Sequence, residues 1–140
     1  MSLKLPDAAR ELIESGALAH LVTIGANGAP QVTCIWVAVR GDELETAHMN
    51  PAQRKLRNVA RDPRVALSFE GTRIQPPGLR EYLIVHGQAR IIEGGAPELL
   101  QELAHVYLGP DVRFPPMDDP PAGVRMRISI DRIGGIGSWA

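Results

Sequence analysis

The sequence lacks several features on which common classes of protein depend. Its 140 residues contain one cysteine, Cys34, which excludes an internal disulfide bond and fits a reducing compartment. No apolar run approaches the roughly 20 residues of a membrane-spanning helix, and the first residues lack the apolar core of a signal peptide. We therefore expect a cytoplasmic protein without a membrane partner.

Aromatic residues and charge of one sign are also scarce. The chain has two Trp, two Tyr and two Phe, and its formal net charge is −1. Both values argue against a nucleic-acid partner. The hydrophobic fraction of 44% and the charged fraction of 22% are ordinary for a globular protein. At this length we expect a single domain over residues 1–140.

Catalytic motifs are missing as well. The histidines are scattered, no His or Cys pair has metal-ligand spacing, and no serine lies in a G-x-S-x-G elbow. Cys34 falls in a predicted strand, where a small buried thiol is the commoner explanation. Residues 134–137 have neither the following Lys-Ser/Thr nor the helix of a phosphate loop, so they are predicted to form a flexible turn. The sequence predicts no metal site and no catalytic residue, and any chemistry depends on a bound cofactor.

The pattern that is present predicts a mainly β (α+β) fold. Strands are predicted over residues 17–24, 30–40, 44–48, 65–69, 80–93 and 124–130. Helices are predicted over residues 6–15, 50–62 and 97–108, the last burying Leu99, Leu100, Leu103 and Tyr107. Residues 70–79 and 109–123 are predicted loops, and Gly87 is expected to mark a bulge or a close approach. This order of elements favours an antiparallel barrel.

The second helix is unusually basic. Asn50 is a good N-cap, Pro51 suits the first helical position, and Asp62-Pro63 ends the helix. Its segment carries five cations, Arg54, Lys55, Arg57, Arg61 and Arg64, against Asp62 alone. Free N–H groups at a helix N-terminus together with Arg and Lys would bind a phosphate. A solvated charged face is the alternative, but the whole chain has 15 basic and 16 acidic residues, so this local excess of cations favours a binding site.

Four segments in this order resemble a known superfamily. They are LVTIGANGAPQVTCIW at 21–36, RKLRNVARDPRVALS at 54–68, YLIVHGQARIIE at 82–93 and VRMRISIDRI at 124–133. Their order and spacing resemble the pyridoxamine-5′-phosphate-oxidase-like split β-barrel superfamily. Within it, the chain is most similar to the actinobacterial branch that uses the deazaflavin coenzyme F420.

The resemblance implies a six-stranded antiparallel split β-barrel (the FMN-binding split barrel) with short flanking helices. It also implies a homodimer with two composite cofactor sites at the subunit interface. On the second strand, the flavin-type ring would lie along Gln31, Val32, Thr33 and Trp36. The phosphate and anionic tail would be held by Thr46, Ala47, His48, Met49, Arg54, Lys55, Arg57 and Asn58, with Lys55 the position most characteristic of the deazaflavin branch. Trp36 could equally be a core aromatic.

The implied function is an F420-dependent reductase that transfers hydride from reduced deazaflavin to an activated double bond of a small, planar substrate. Solvent could supply the proton, so no residue is nominated as an acid or base. Vitamin B6 oxidation is not expected, because the second strand and the C-terminus depart from the pattern of true pyridoxamine-phosphate oxidases. The alternatives are an FMN-binding oxidase or flavin reductase of the same fold, and a non-catalytic protein that binds and stores F420 or a flavin.

Overall fold

A computed structural model describes residues 3–139, which form seven strands and three helices. The helices are α1 (Asp7–Glu14), α2 (Arg54–Arg61) and α3 (Ala96–Tyr107). The strands are β1 (Ala19–Ile24), β2 (Pro30–Ile35), β3 (Ala38–Arg40), β4 (Glu43–His48), β5 (Arg64–Gln75), β6 (Leu79–Glu93) and β7 (Val124–Ile136). This confirms a mainly β chain with a few helices.

All strands belong to one antiparallel sheet in the order β2-β1-β5-β6-β7-β4-β3. Strands β2 and β3 are consecutive in the chain yet lie at opposite edges of the sheet. The chain crosses between the two edges through Trp36 and Val37, so the sheet curls into a barrel that is not closed. The prediction of six strands is wrong: the expected strand over 30–40 is two strands.

The break between β2 and β3 has a specific cause. The Val37 N–H donates a hydrogen bond of 3.1 Å to the Tyr107 hydroxyl at the end of α3. Because this N–H bonds to a side chain, the backbone leaves the strand ladder here. Val37 is nevertheless buried in the core, so its apolar character made the segment resemble one continuous strand.

Two segments that the sequence predicts as a loop and a turn form strands in the structure. Strand β5 continues to Gln75, and residues 76–78 alone turn the chain into β6, so the loop expected over 70–79 is wrong. Gly134 and Gly135 pair with β6, which corrects the turn expected over 134–137. A Cβ at Gly135 would lie 2.2 Å from the Tyr82 carbonyl oxygen, so glycine permits a close approach of the two strands.

The core lies between the curled sheet and α1. Its fully buried side chains include Leu21, Leu44, Leu67, Phe69, Leu83, Met126, Ile128 and Ile130. The bulge expected at Gly87 is confirmed by a register shift between His86 and Gly87. A Cβ at Gly87 would meet the Ser129 carbonyl oxygen at 2.1 Å, so only glycine fits.

A second cluster packs α3 against the outer side of β3 and β4. Leu99, Leu100 and Leu103 are buried there as predicted, whereas Tyr107 is half-buried. The same side of β4 carries Glu45, a carboxylate that is 3% exposed. Arg40, Arg125 and Arg127 approach its oxygens at 3.2, 3.3 and 3.2 Å. Three guanidinium groups thus compensate one buried charge.

Replacing Glu45 tests this compensation. Glu45→Gln should lower the free energy of unfolding by about 2–4 kcal/mol, because three arginines lose their buried carboxylate. Glu102→Gln is the matched control: it removes an ion pair with Arg40 whose carboxylate side chain is 56% exposed. We expect this control to cost less than about 1 kcal/mol in urea unfolding. Equal losses of unfolding free energy in the two variants would contradict the role of Glu45 as the buried partner of three arginines.

Candidate functional site

The basic helix α2 begins later than the sequence predicts. Its N-cap is Gln53, and Asn50 instead accepts the Ala52 N–H through its side chain at 3.0 Å, which forms a turn. The predicted start at Asn50 is therefore wrong, because asparagine also favours local turns. Helix α2 buries Leu56 and Val59 and contacts β1 and β6. Its cations are then divided between two recesses.

The first recess, which we call the arginine recess, has a volume of about 480 Å³. It lies between α2 and the turn that joins β1 to β2. Its lining consists of Gly25, Ala26, Asn27, Ala29, Pro30, Gln31, Arg54, Arg57, Asn58 and Arg61. No acidic residue lines it, and within residues 3–139 none of its three arginines forms an ion pair. This recess is suited to a ligand with several negative charges.

Asn58 fixes the floor of the arginine recess. It is 3% exposed, and its Nδ2 group donates to Thr23 Oγ1 at 3.0 Å and to Gln31 Oε1 at 2.9 Å. Its Oδ1 atom accepts a 3.0 Å hydrogen bond from Arg61. Asn58 therefore ties helix α2 to strands β1 and β2 and orients both Gln31 and Arg61.

Strand β2 carries an unsatisfied hydroxyl. Gln31, Thr33 and Ile35 lie on one face of the strand, whereas Val32 on the other face is 60% exposed. Thr33 Oγ1 is the one buried side-chain nitrogen or oxygen atom in the described residues that has no hydrogen-bond partner. A buried polar group of this kind calls for a ligand or water atom.

The second recess, which we call the aromatic recess, has a volume of about 220 Å³. It is lined by Leu18, Cys34, Ile35, Trp36, Ala47, His48, Lys55, Leu100 and Phe114. Trp36 stacks on Tyr107 with ring centroids 5.3 Å apart, and the edge contact with Phe114 has a centroid distance of 5.4 Å. Trp36 is thus both part of the packing around α3 and a wall of the recess.

Lys55 and His48 supply the polar groups of the aromatic recess. Lys55 is half-buried and has no ion pair within residues 3–139, and burial lowers the pKa of its ammonium while the nearby Cys34 opposes that shift. His48 is buried, and its Nε2 atom lies 2.7 Å from Thr46 Oγ1. Burial, with Lys55 adding to it, lowers the pKa of His48 to about 4. At neutral pH the recess therefore holds a cation beside a neutral imidazole.

The structure divides the predicted site residues into three groups. Gln31, Arg54, Arg57 and Asn58 line the arginine recess, and Trp36, Ala47, His48 and Lys55 line the aromatic recess. Val32, Thr33, Thr46 and Met49 line neither. Arg61 also lines the arginine recess, although its sequence position marks it only as one of the five cations. Phe114 lies in the predicted loop over 109–123, whose sequence pattern contains no sign of an inward-facing ring. The turn at 76–78 lines neither recess.

The residues present fit a flavin-type cofactor. Such a molecule has a planar ring with hydrogen-bonding edges and an anionic chain, and the site offers an unsatisfied hydroxyl, aromatic walls and unpaired cations. Within residues 3–139 no cluster of three or more His, Cys, Asp or Glu side chains could hold a metal ion. None of the described helices is long and apolar enough to cross a membrane.

Solved structures share this architecture. An F420 reductase is 27% identical, with a TM-score of 0.72, and the match covers 93% of this chain and 98% of that one. A conserved hypothetical protein from Mycobacterium tuberculosis is 24% identical, with a TM-score of 0.70 and coverage of 96% and 85%. A candidate pyridoxamine 5′-phosphate oxidase from Listeria innocua is 18% identical, with a TM-score of 0.67 and coverage of 94% and 98%. No curated protein sequence matches the chain.

The open barrel, together with its similarity to the F420 reductase, is typical of a split-barrel protein of the flavin-related oxidoreductase type. The sequence pattern of the pyridoxamine 5′-phosphate oxidase family matches residues 5–134. The chain therefore belongs to this family, as its sequence segments suggested.

His48 gives the site a testable pH dependence. Its folded-state pKa of about 4 lies below the ordinary 6.5, so between these values the unfolded chain binds the extra proton. This group's contribution to stability should fall as the pH drops from 6.5 to 4, by about 3 kcal/mol, and then level off. Urea unfolding across this range should show the fall in the wild type, and His48→Gln should lack that component. If the unfolding free energies of the two proteins changed with pH in parallel, the assignment of His48 as a buried neutral imidazole would be contradicted.

Proposed function

We propose that the protein is an F420-dependent reductase that delivers hydride to an activated double bond of a small, planar acceptor. The observation that carries this proposal is the arginine recess, whose three guanidinium groups have no acidic partner there. F420 carries a phosphate and a carboxylate-bearing tail, whereas FMN carries a single phosphate. Three arginines in addition to Lys55 are more cations than one phosphate requires.

Each recess has a role in this proposal. Arg54, Arg57 and Arg61 hold the anionic tail, and Lys55 at the edge of the aromatic recess binds the phosphate. Gln31, the residue of β2 that lines the arginine recess, orients the ring from that side. Bound F420 supplies the hydride, so the protein contributes position, orientation and exclusion of water.

The acceptor is proposed to be planar because the available walls are aromatic and apolar. Trp36 and Phe114 present ring surfaces in the aromatic recess, together with Leu18, Ile35 and Leu100. Flat conjugated molecules pack well against such rings. Phe114 comes from the irregular connection between α3 and β7, which makes that connection the segment expected to distinguish one acceptor from another.

A second copy of the chain is proposed as the partner. Within residues 3–139, helices α1 and α2 pack on the core side of the sheet. The outer face formed by β1, β2, β5 and β6 carries apolar side chains, namely Val22, Ile24, Val32, Ala66, Tyr82 and Ile84. Val32 is 60% exposed and Tyr82 is 39% exposed. Burying this face in a twofold interface would remove the apolar surface from water and would complete each cofactor site with residues of the other copy.

An FMN-dependent oxidase or flavin reductase is the second candidate, and the family to which the chain belongs favours it. A protein that binds and stores F420 without turnover is the third.

The three candidates differ in measurable ways. Reduced F420 mixed with the protein and a panel of enones and quinones should be oxidised faster than without protein. Turnover that appears only with FMN and oxygen would support the FMN-dependent oxidase or flavin reductase. Tight binding of F420 without faster oxidation of the reduced cofactor would support the storage protein.

Two substitutions test the division of roles along α2. Lys55→Ala should weaken binding of both F420 and FMN by about 1–3 kcal/mol, since both carry a phosphate. Arg57→Ala should weaken binding of F420 by a similar amount and leave FMN binding nearly unchanged. Arg73→Ala, an exposed arginine on β5 paired with Glu11, is the matched control and should alter neither. Fluorescence titration at low salt measures all three, and unchanged F420 affinity in Arg57→Ala would remove the tail assignment.

The proposed dimer has its own test. Ala66→Glu places a charge at the centre of the uncovered sheet face and should convert a micromolar dimer into a monomer. Val106→Glu, at an exposed position on α3 away from that face, should leave the dimer intact. Light scattering reports the mass of each protein. A wild-type monomer that still binds one cofactor per chain would refute composite sites.

A further inference from the structure

Thr46 and His48 form a buried polar pair on β4. The two residues are on the same face of the strand, Thr46 is 0% exposed and His48 is 6% exposed. Thr46 Oγ1 and His48 Nε2 are 2.7 Å apart, which is a short hydrogen bond. Thr46 lines neither recess, so its effect on a ligand must pass through His48.

The direction of this hydrogen bond follows from counting partners. Within residues 3–139 the Thr46 hydroxyl has His48 as its sole side-chain hydrogen-bond partner. A hydroxyl has one proton and two lone pairs, and a buried donor without a partner is less tolerable than an unused lone pair. The hydroxyl therefore donates its proton, and His48 Nε2 accepts it.

This direction places the imidazole proton on the other nitrogen. A neutral ring whose Nε2 accepts a hydrogen bond carries its N–H at Nδ1. His48 Nδ1 has no hydrogen-bond partner among the described residues. In those residues, the one fully buried side-chain nitrogen or oxygen atom without a partner is Thr33 Oγ1, so His48 Nδ1 is not fully buried. Nδ1 is thus accessible, and the surface that His48 lines is the aromatic recess.

We propose that Thr46 is a positioning residue that holds His48 as a neutral Nδ1–H donor to an uncharged carbonyl oxygen in the aromatic recess. The proposal rests on the proposed function for the identity of the ligand. A carbonyl on a planar conjugated ring occurs both in the deazaflavin and in quinone or enone acceptors. Lys55 is assigned to the phosphate, so His48 is the directional donor by which the recess distinguishes a carbonyl edge from a purely hydrocarbon ring.

The tautomer is measured without any activity. The ¹⁵N shifts of the imidazole nitrogens, assigned by comparison with His48→Gln, should show His48 protonated at Nδ1 at pH 7. Thr46→Val removes the donor at nearly constant volume and should shift the proton to Nε2, and Thr46→Ser should restore it. A wild-type ring protonated at Nε2 would overturn the proposal. This measurement on the wild type stands even if Thr46→Val fails to fold.

Two ligand titrations identify the carbonyl source. Oxidised F420 alone and menadione alone are added to labelled wild-type protein, and the His48 Nδ1–H resonance should move downfield with at least one of them. The ligand that moves it should bind about tenfold more weakly to Thr46→Val, with affinity regained in Thr46→Ser. Binding of both ligands without a change at His48 would overturn the proposal.

The two proposals fail in different ways. Failure of F420 to bind the wild-type protein refutes the proposed function, whereas a menadione-induced shift at His48 still supports the donor role. An Nε2–H tautomer in a protein that binds F420 and reduces acceptors refutes the donor role and leaves the proposed function intact.

Discussion

The structure depends on the corner at which the chain crosses from one edge of the sheet to the other. The Tyr107 hydroxyl accepts the Val37 N–H at 3.1 Å and donates to the Ala17 carbonyl oxygen at 3.2 Å. Its ring stacks on Trp36. One side chain from α3 thus joins the β2–β3 corner to the segment that precedes β1. These contacts fix the corner from which Trp36 enters the wall of the aromatic recess.

The open barrel also explains how a short helix can serve two recesses. Helix α2 lies beside strands β1 and β6, and Asn58 joins it to Thr23 and Gln31. Consecutive side chains of a helix point in different directions, so Arg54 and Lys55 line different recesses. The basic helix thereby presents three arginines that can bind a polyanion, and one lysine beside aromatic rings.

Several features of the fold and of the site could be predicted from the sequence, because each depends on residues that are close together in the chain. The bulge at Gly87, the three leucines of α3 and the family segments all depend on neighbouring residues. The break after Ile35 depends on Tyr107, a residue 70 positions away from Val37, and no local pattern contains it. Likewise the glycines at 134 and 135 suggest a turn, whereas both pair with β6 and Gly135 permits a close approach to the Tyr82 carbonyl group. The basic helix could be predicted, but the division of its cations required the tertiary structure.

In the proposed function, the cations of α2 hold a cofactor with more than one anionic group. The most direct test is the salt dependence of cofactor binding by the wild-type protein, measured for F420 and FMN in parallel. Screening weakens each exposed ion pair, so more pairs give a steeper loss of affinity. We expect F420 affinity to fall more steeply with salt than FMN affinity. Equal slopes for the two cofactors, or no F420 binding at low salt, would contradict the proposed function.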